Sequence, residues 1–200
     1  YLPAYAGVGH STNEFRWSPR IRREDGILRL VPGLGTRAVD RLADDYPKLV
    51  ALGQPGLAVN TTVEEALHYS PRSIDVIDLE RNSFATVSVD RLLAECGDSY
   101  PGIENIVSVY SDGRLQRRSR IATDFQTDTL AVTFDGLLQN TPFIRDLKAL
   151  LDLLRDKLGQ PVDIEFAVSG GNIYLLQCRA QSSAGDQRPM PIPDDVERDD

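Results

Sequence analysis

Two hundred residues, 41% hydrophobic and 26% charged, with a formal net charge of −8, have the make-up of one soluble globular domain or one large lobe of a bigger one. The acidic balance argues against general nucleic-acid binding, no run approaches the ~20 apolar residues of a membrane span, and no signal peptide is visible. Cys96 and Cys178 are too few for a disulfide framework, so a reducing, cytoplasmic setting is expected.

The chain opens at Tyr1 rather than at an initiator methionine, as a segment cut from a longer polypeptide would. Tyr5 to His10 and Gly26 to Val31 read as strands joined by a long connection carrying Arg16, Arg20, Arg22 and Arg23 around Trp17. With Arg29, that cluster is either a phosphate-reading loop or a solvated mixed-charge connection. Gly33-Leu34-Gly35 is a tight turn by one reading and, by another, a place where backbone N–H groups approach a phosphate. Thr36 to Ala43 has the spacing of a short helix. Gly53 to Asn60 is turn-rich and is expected to return as a strand. Val63 to Leu67 fits one helical turn capped by Thr61 or Thr62. Ile74 to Leu79 and Phe84 to Val89 alternate as a hairpin around Arg81-Asn82, after which Asp90 is expected to cap a short helix closing near Gly97. Ile106 to Tyr110 and Arg114 to Arg118 flank Ser111-Asp112-Gly113, a strong hairpin signal. Arg114, Arg117, Arg118 and Arg120 then mark an exposed sheet edge.

The clearest helix is predicted to begin with Thr141 as cap and Pro142 in the first helical position, with Ile144, Leu147, Leu150, Leu151, Leu154 and Leu158 as its apolar stripe. Gly159 and Pro161 end it. Packed on the strands that follow, it gives an α+β lobe with a mainly antiparallel sheet and packed helices. In the last fifteen residues six acidic side chains stand against two arginines among three prolines, so 183–200 is expected to be an acidic, Pro-rich linker or tail. His10 and His68 have no serine, cysteine or metal-ligand partner at a recognisable spacing and read as structural.

The densest signal lies between Pro161 and Arg179. Val162, Ile164, Phe166 and Val168 alternate with Asp163 and Glu165, the period of a half-buried strand. After Ser169-Gly170-Gly171-Asn172 the alternation resumes, with Tyr174, Leu176 and Cys178 on one side and Gln177 and Arg179 on the other. If the apolar sides coincide, Asp163, Glu165, Gln177 and Arg179 share the opposite face. That match requires an odd-length loop, such as a three-residue loop with one left-handed glycine. Two carboxylates, an amide oxygen and a guanidinium gathered in this way can hold a divalent metal and a phosphate together. A solvated hairpin face with a cross-strand ion pair has the same composition.

Asp163-Ile164-Glu165-Phe166, followed after a glycine turn by Tyr174-Leu175-Leu176-Gln177-Cys178-Arg179, resembles the end of the nucleotide-binding domain of phosphoenolpyruvate synthases and pyruvate phosphate dikinases. The Gly33-Leu34-Gly35 turn with Ala38-Val39-Asp40, and the opening Ala6-Gly7-Val8 with Asn13, are similar to that family as well; between about Leu42 and Arg120 nothing specific is recognised. The resemblance implies an ATP-grasp fold, with 1–182 forming the C-terminal part of the domain. It implies Mg²⁺ and ATP bound between two lobes, and a phosphoryl group passed to a histidine on a mobile domain and then to pyruvate. By position, Glu165 and Gln177 are implied as the metal pair and Arg179 as the phosphate-stabilising cation, which makes Glu165 and Arg179 the catalytic residues. Asp163, Gly33 and Gly35 are implied as further nucleotide contacts.

Thr36 stands where the family commonly has an acidic residue after the glycine turn. The implied partners are ATP, an N-terminal lobe and a phosphohistidine domain of the same polypeptide, with no nucleic acid and no membrane. Neither the first lobe nor the phosphoacceptor histidine segment is recognisable in this sequence, so the segment alone is expected to be inactive. Two other readings stand beside the dikinase: a non-catalytic ATP-grasp-like regulatory or nucleotide-sensing module, and an α+β interaction domain without nucleotide chemistry. The phosphoryl acceptor and the oligomeric state are left open.

Overall fold

The structure, a computed structural model, describes residues 1–39, 45–117 and 123–181. In chain order the strands are β1 (Tyr5–His10), β2 (Ile27–Pro32), β3 (Lys48–Ala51), β4 (Ser73–Asp78), β5 (Ser83–Ser88), β6 (Val107–Ser111), β7 (Arg114–Arg117), β8 (Thr129–Val132), β9 (Val162–Ser169) and β10 (Asn172–Ala180). The α-helices are α1 (Thr36–Val39), α2 (Val63–His68), α3 (Val89–Cys96), α4 (Ile103–Ile106), α5 (Asp135–Asn140) and α6 (Phe143–Leu158).

The main sheet runs β10-β9-β1-β2-β3, each strand antiparallel to its neighbours; β4 and β5 form a hairpin, and β7-β6-β8 a third sheet. This is the expected α+β architecture. One face of the main sheet is apolar. Leu28, Leu30, Val162, Ile164 and Phe166 are buried there, and α6 lays Ile144, Leu147 and Leu151 into the same core. Each such side chain contributes about 1.5–3 kcal/mol. The opposite face carries a small buried cluster, Val8, Val31 and Ala38. The glycine of Ala6-Gly7-Val8 has a packing cause: a Cβ on Gly7 would lie 2.3 Å from the Arg29 carbonyl oxygen and 3.0 Å from the Phe166 ring.

Local chemistry explains most boundaries. Thr62 and Glu65 form a reciprocal capping box on α2. Asn82 at φ 48° turns the β4–β5 hairpin, and Gly159 at φ 68° ends α6. Several expectations need correction. The cap of α3 is Ser88, whose hydroxyl accepts the Arg91 N–H at 3.2 Å, and Asp90 sits inside the first turn. Pro142, not Thr141, is the cap position of α6, although the Thr141 hydroxyl still accepts the Phe143 N–H at 3.3 Å. Leu158 shares the stripe but is 52% exposed in the last turn. No strand forms within 53–60; the returning strand is β3, whose four residues are too few for an alternation to show. Three further short elements, α4, β8 and α5, lie where the sequence suggests none.

The second half of the predicted 36–43 helix, Arg118, Arg120 and the tail 183–200 lie outside the described residues. Among the described residues, no helix is long and apolar enough to cross a membrane, and Cys96 and Cys178 are free.

Candidate functional site

The hairpin that carries the predicted polar face closes differently from expectation. Gly170 and Gly171 both have positive φ, 57° and 80°, and form a two-residue turn between Ser169 and Asn172. The extra residue that parity requires appears further along. Pairing passes from Leu175 opposite Phe166 directly to Gln177 opposite Glu165, leaving Leu176 as a β-bulge. An even turn plus one bulge has the same parity as an odd loop. Gln177 therefore opposes Glu165, Arg179 opposes Asp163, and all four side chains share one face. Before the bulge the phase is reversed. Tyr174 opposes Ala167 on the polar face instead of joining the apolar side, and Leu176 is 65% exposed. Cys178 opposes Ile164 and packs on the core, as its alternation predicts.

The four residues are not equally placed. Asp163 is buried, and its Oδ1 accepts the Arg179 Nε–H at 2.7 Å; Arg179 itself is exposed. Glu165 is half-buried and Gln177 exposed. The face continues across β1 and β2, where His10 stands opposite Asp163, Val8 opposite Glu165, and Arg29 opposite Val8. His10, structural by its sequence context, sits on this face with its Nδ1 buried and without a hydrogen-bond partner among the described residues. Burial pushes its pKa below the ordinary histidine value, with Asp163 pulling up and Arg29 and Arg179 pulling down. A signal was available in the sequence: Ala6, Val8 and His10 share one side of an alternating strand.

The glycine turn is a close-packed junction. The Gly33 N–H donates to the Tyr100 hydroxyl at 3.1 Å, and the Leu34 N–H to the Asp75 carbonyl at 3.0 Å. Gly33 has φ 69°, and a Cβ there would meet Ile74 Cγ2 at 2.4 Å. Beside it the Thr36 hydroxyl donates to the Asp75 carboxylate. Arg37 bridges Asp75 at 3.1 Å and Asp45 at 2.8 Å. Asp45 also accepts the N–H groups of Tyr46, Arg72 and Ser73, and Asp75 accepts the Thr86 hydroxyl. These groups, gathered around the buried carboxylates of Asp45 and Asp75, come from five separated stretches of chain, so no local pattern announced them.

At the β2–β3 end of the same face lies a cavity of about 640 Å³, floored by Ile27, Arg29 and Leu49 and walled by Phe15, Tyr46 and Tyr69. The two tyrosine rings meet edge-on with centroids 5.1 Å apart.

Compared with known families, residues 2–200 match the sequence model described as the pyruvate phosphate dikinase, AMP/ATP-binding domain. The chain belongs to that family. A search of curated proteins finds no match. As a pyruvate phosphate dikinase AMP/ATP-binding domain, it is the ATP-binding part of a dikinase-like, kinase-type protein.

The donor set suits the hard cation that accompanies ATP. Glu165 offers carboxylate oxygens and Gln177, directly opposite, an amide oxygen. Among the described residues no three His, Cys, Asp or Glu side chains gather as a metal cage. Mg²⁺ is ordinarily held by one or two carboxylates together with the substrate phosphates, so a cage is not required.

Proposed function

We propose that this domain holds Mg-ATP on the polar face of its five-stranded sheet, and that the protein it serves passes a phosphoryl group from ATP to a histidine on another domain and then to pyruvate. The observation that carries this reading is the direct opposition of Glu165 and Gln177 beside the Asp163–Arg179 pair. Glu165 and Gln177 hold Mg²⁺, which when bound neutralises charge spread over the phosphate oxygens. Arg179 meets a phosphate with a charge that does not titrate away. Asp163 is a positioning residue that anchors Arg179 at Nε. Because the Gly33 N–H is engaged by Tyr100, Gly33 and Gly35 serve the site by letting the turn pack closely rather than by donation from Gly33.

Phosphoryl transfer depends chiefly on positioning and charge neutralisation. Arg179 is the single cation among the four matched positions, and a triphosphate calls for several. If three of these charge-assisted contacts are supplied from outside this segment, at roughly 1.5 kcal/mol each, their loss weakens binding by about three orders of magnitude. Calorimetric titration of the 200-residue chain with Mg-ATP is therefore expected to give millimolar affinity or weaker, with no hydrolysis. Micromolar affinity would show a complete site in this chain. A non-catalytic nucleotide-sensing role is favoured by one observation, the commitment of the Thr36 hydroxyl to buried Asp75. Labelled ATP incubated with a longer natural polypeptide containing this domain separates the two: phosphohistidine forms in the dikinase and not in the sensor.

A further inference from the structure

We infer that Lys48 is a modification site, acylated by short acyl thioesters that reach it through a small cavity on the core side of β3. The inference is independent of the nucleotide reading. Lys48 opens the edge strand of the main sheet opposite Leu30, so its side chain falls on the same face as buried Leu28, Leu30 and Val50. The lysine stem lies along that apolar face with only 23% of the side chain exposed. A cavity of about 220 Å³ adjoins it between β3, the 55–58 segment and α5, with Pro55, Ala58, Leu138, Asp135 and Gln139 among its walls.

The three lysines of the chain are Lys48, Lys148 and Lys157. Lys148 Nζ donates to both carboxylate oxygens of Asp152 at 2.7 Å, and Lys157 is exposed. Lys48 Nζ stands 4.0 Å from Asp135 Oδ1, a contact too long for a hydrogen bond. Burial lowers its pKa from the ordinary lysine value, and the Asp135 carboxylate pulls it back up only in part. More of this amine is therefore neutral near pH 7.5, and the neutral amine is the nucleophile. In the step, the Nζ lone pair attacks the thioester carbonyl carbon, and the C–S bond breaks with its electron pair leaving on sulfur. The proton lost by nitrogen passes through Asp135 or water and restores the thiol. Pro55, Ala58 and Leu138 suit a short acyl chain, whereas a dianionic acyl phosphate would meet the Asp135 carboxylate. The carrier stays in solvent, because the cavity opens at exposed Gln139. The product is a neutral amide that can no longer pair with Asp135.

The test incubates the native 200-residue chain with acetyl-coenzyme A at pH 7.5 and follows each lysine by peptide mass spectrometry. Lys48 is expected to be acetylated about tenfold faster than Lys157, with Lys148 slowest. Acetyl phosphate should show a smaller preference for Lys48, and an equal one would overturn the thioester as its reagent. In denaturing urea the three rates should converge, because burial is what sets Lys48 apart. Lys48→Arg should remove the fast phase and leave the Lys148 and Lys157 rates unchanged. Acetylation of Lys157 ahead of Lys48 in the native chain would overturn the assignment, as would a preference for Lys48 that survives unfolding. The labelling order of the native chain decides the matter even if Lys48→Arg fails to fold.

Discussion

At the β9–β10 end of the polar face, four side chains come from two strands adjacent in sequence, and Gln177 and Arg179 stand exposed. At the other end the buried carboxylates of Asp45 and Asp75 converge from distant segments on the Arg37 guanidinium, and the Thr86 hydroxyl donates to Asp75. The first group leaves donors and charge available at the surface, as a ligand site must. The second spends its hydrogen bonds inside the fold, tying α1 and the β4–β5 hairpin to the segment that leads into β3. Polar clusters of similar composition thus serve opposite ends, and burial together with hydrogen-bond satisfaction tells them apart.

Substitution at each end should separate the two roles. Asp75→Ala strands Arg37 with one carboxylate where it had two and removes the acceptor of Thr36 and Thr86. The free energy of unfolding is expected to fall by about 3–5 kcal/mol, read from urea denaturation. A loss below about 1 kcal/mol would mean that the network is not what ties these segments together. Glu165→Gln should do the reverse. In a polypeptide that contains this domain and turns over ATP, turnover at saturating Mg-ATP should drop about a hundredfold or more, with the melting curve nearly unchanged. Undiminished turnover would remove Glu165 from the mechanism.

The same contrast explains what was legible in the sequence. Alternation placed Asp163, Glu165, Gln177 and Arg179 on one face because period two is a property of the strand itself. It misplaced Tyr174 and Leu176 because a bulge shifts phase without leaving a compositional mark. The Gly170-Gly171 pair, both residues at positive φ, was the available hint of a two-residue turn. Capping residues located α2 closely, but for α3 the reading falls on Asp90 where the cap is Ser88, because aspartate and serine are both good caps and only backbone geometry decides. The Arg37–Asp45–Asp75 network and the cavity were invisible because their members meet only after the chain has folded.

A smaller effect tests whether His10 belongs to the polar face. Its folded pKa is depressed below the unfolded value near 6.5, chiefly by burial. The neutral form is thus favoured by folding, and the stabilisation is complete above that value and is lost as pH falls through the folded pKa. The urea midpoint of the native chain should decrease on moving from about pH 7.5 to below 6.5, and His10→Gln should flatten that part of the profile. Identical profiles for both proteins would show that His10 titrates as a solvated side chain.

Paramagnetic Mn²⁺ added with ATP reports directly on the proposed holding of the nucleotide's metal by Glu165 and Gln177. With substoichiometric Mn²⁺ and excess ATP, the amide signals of Glu165 and Gln177 should broaden most among the assigned residues of the sheet, and Glu165→Gln should abolish the effect. Broadening centred away from β9 and β10, or persisting unchanged in Glu165→Gln, would contradict the assignment.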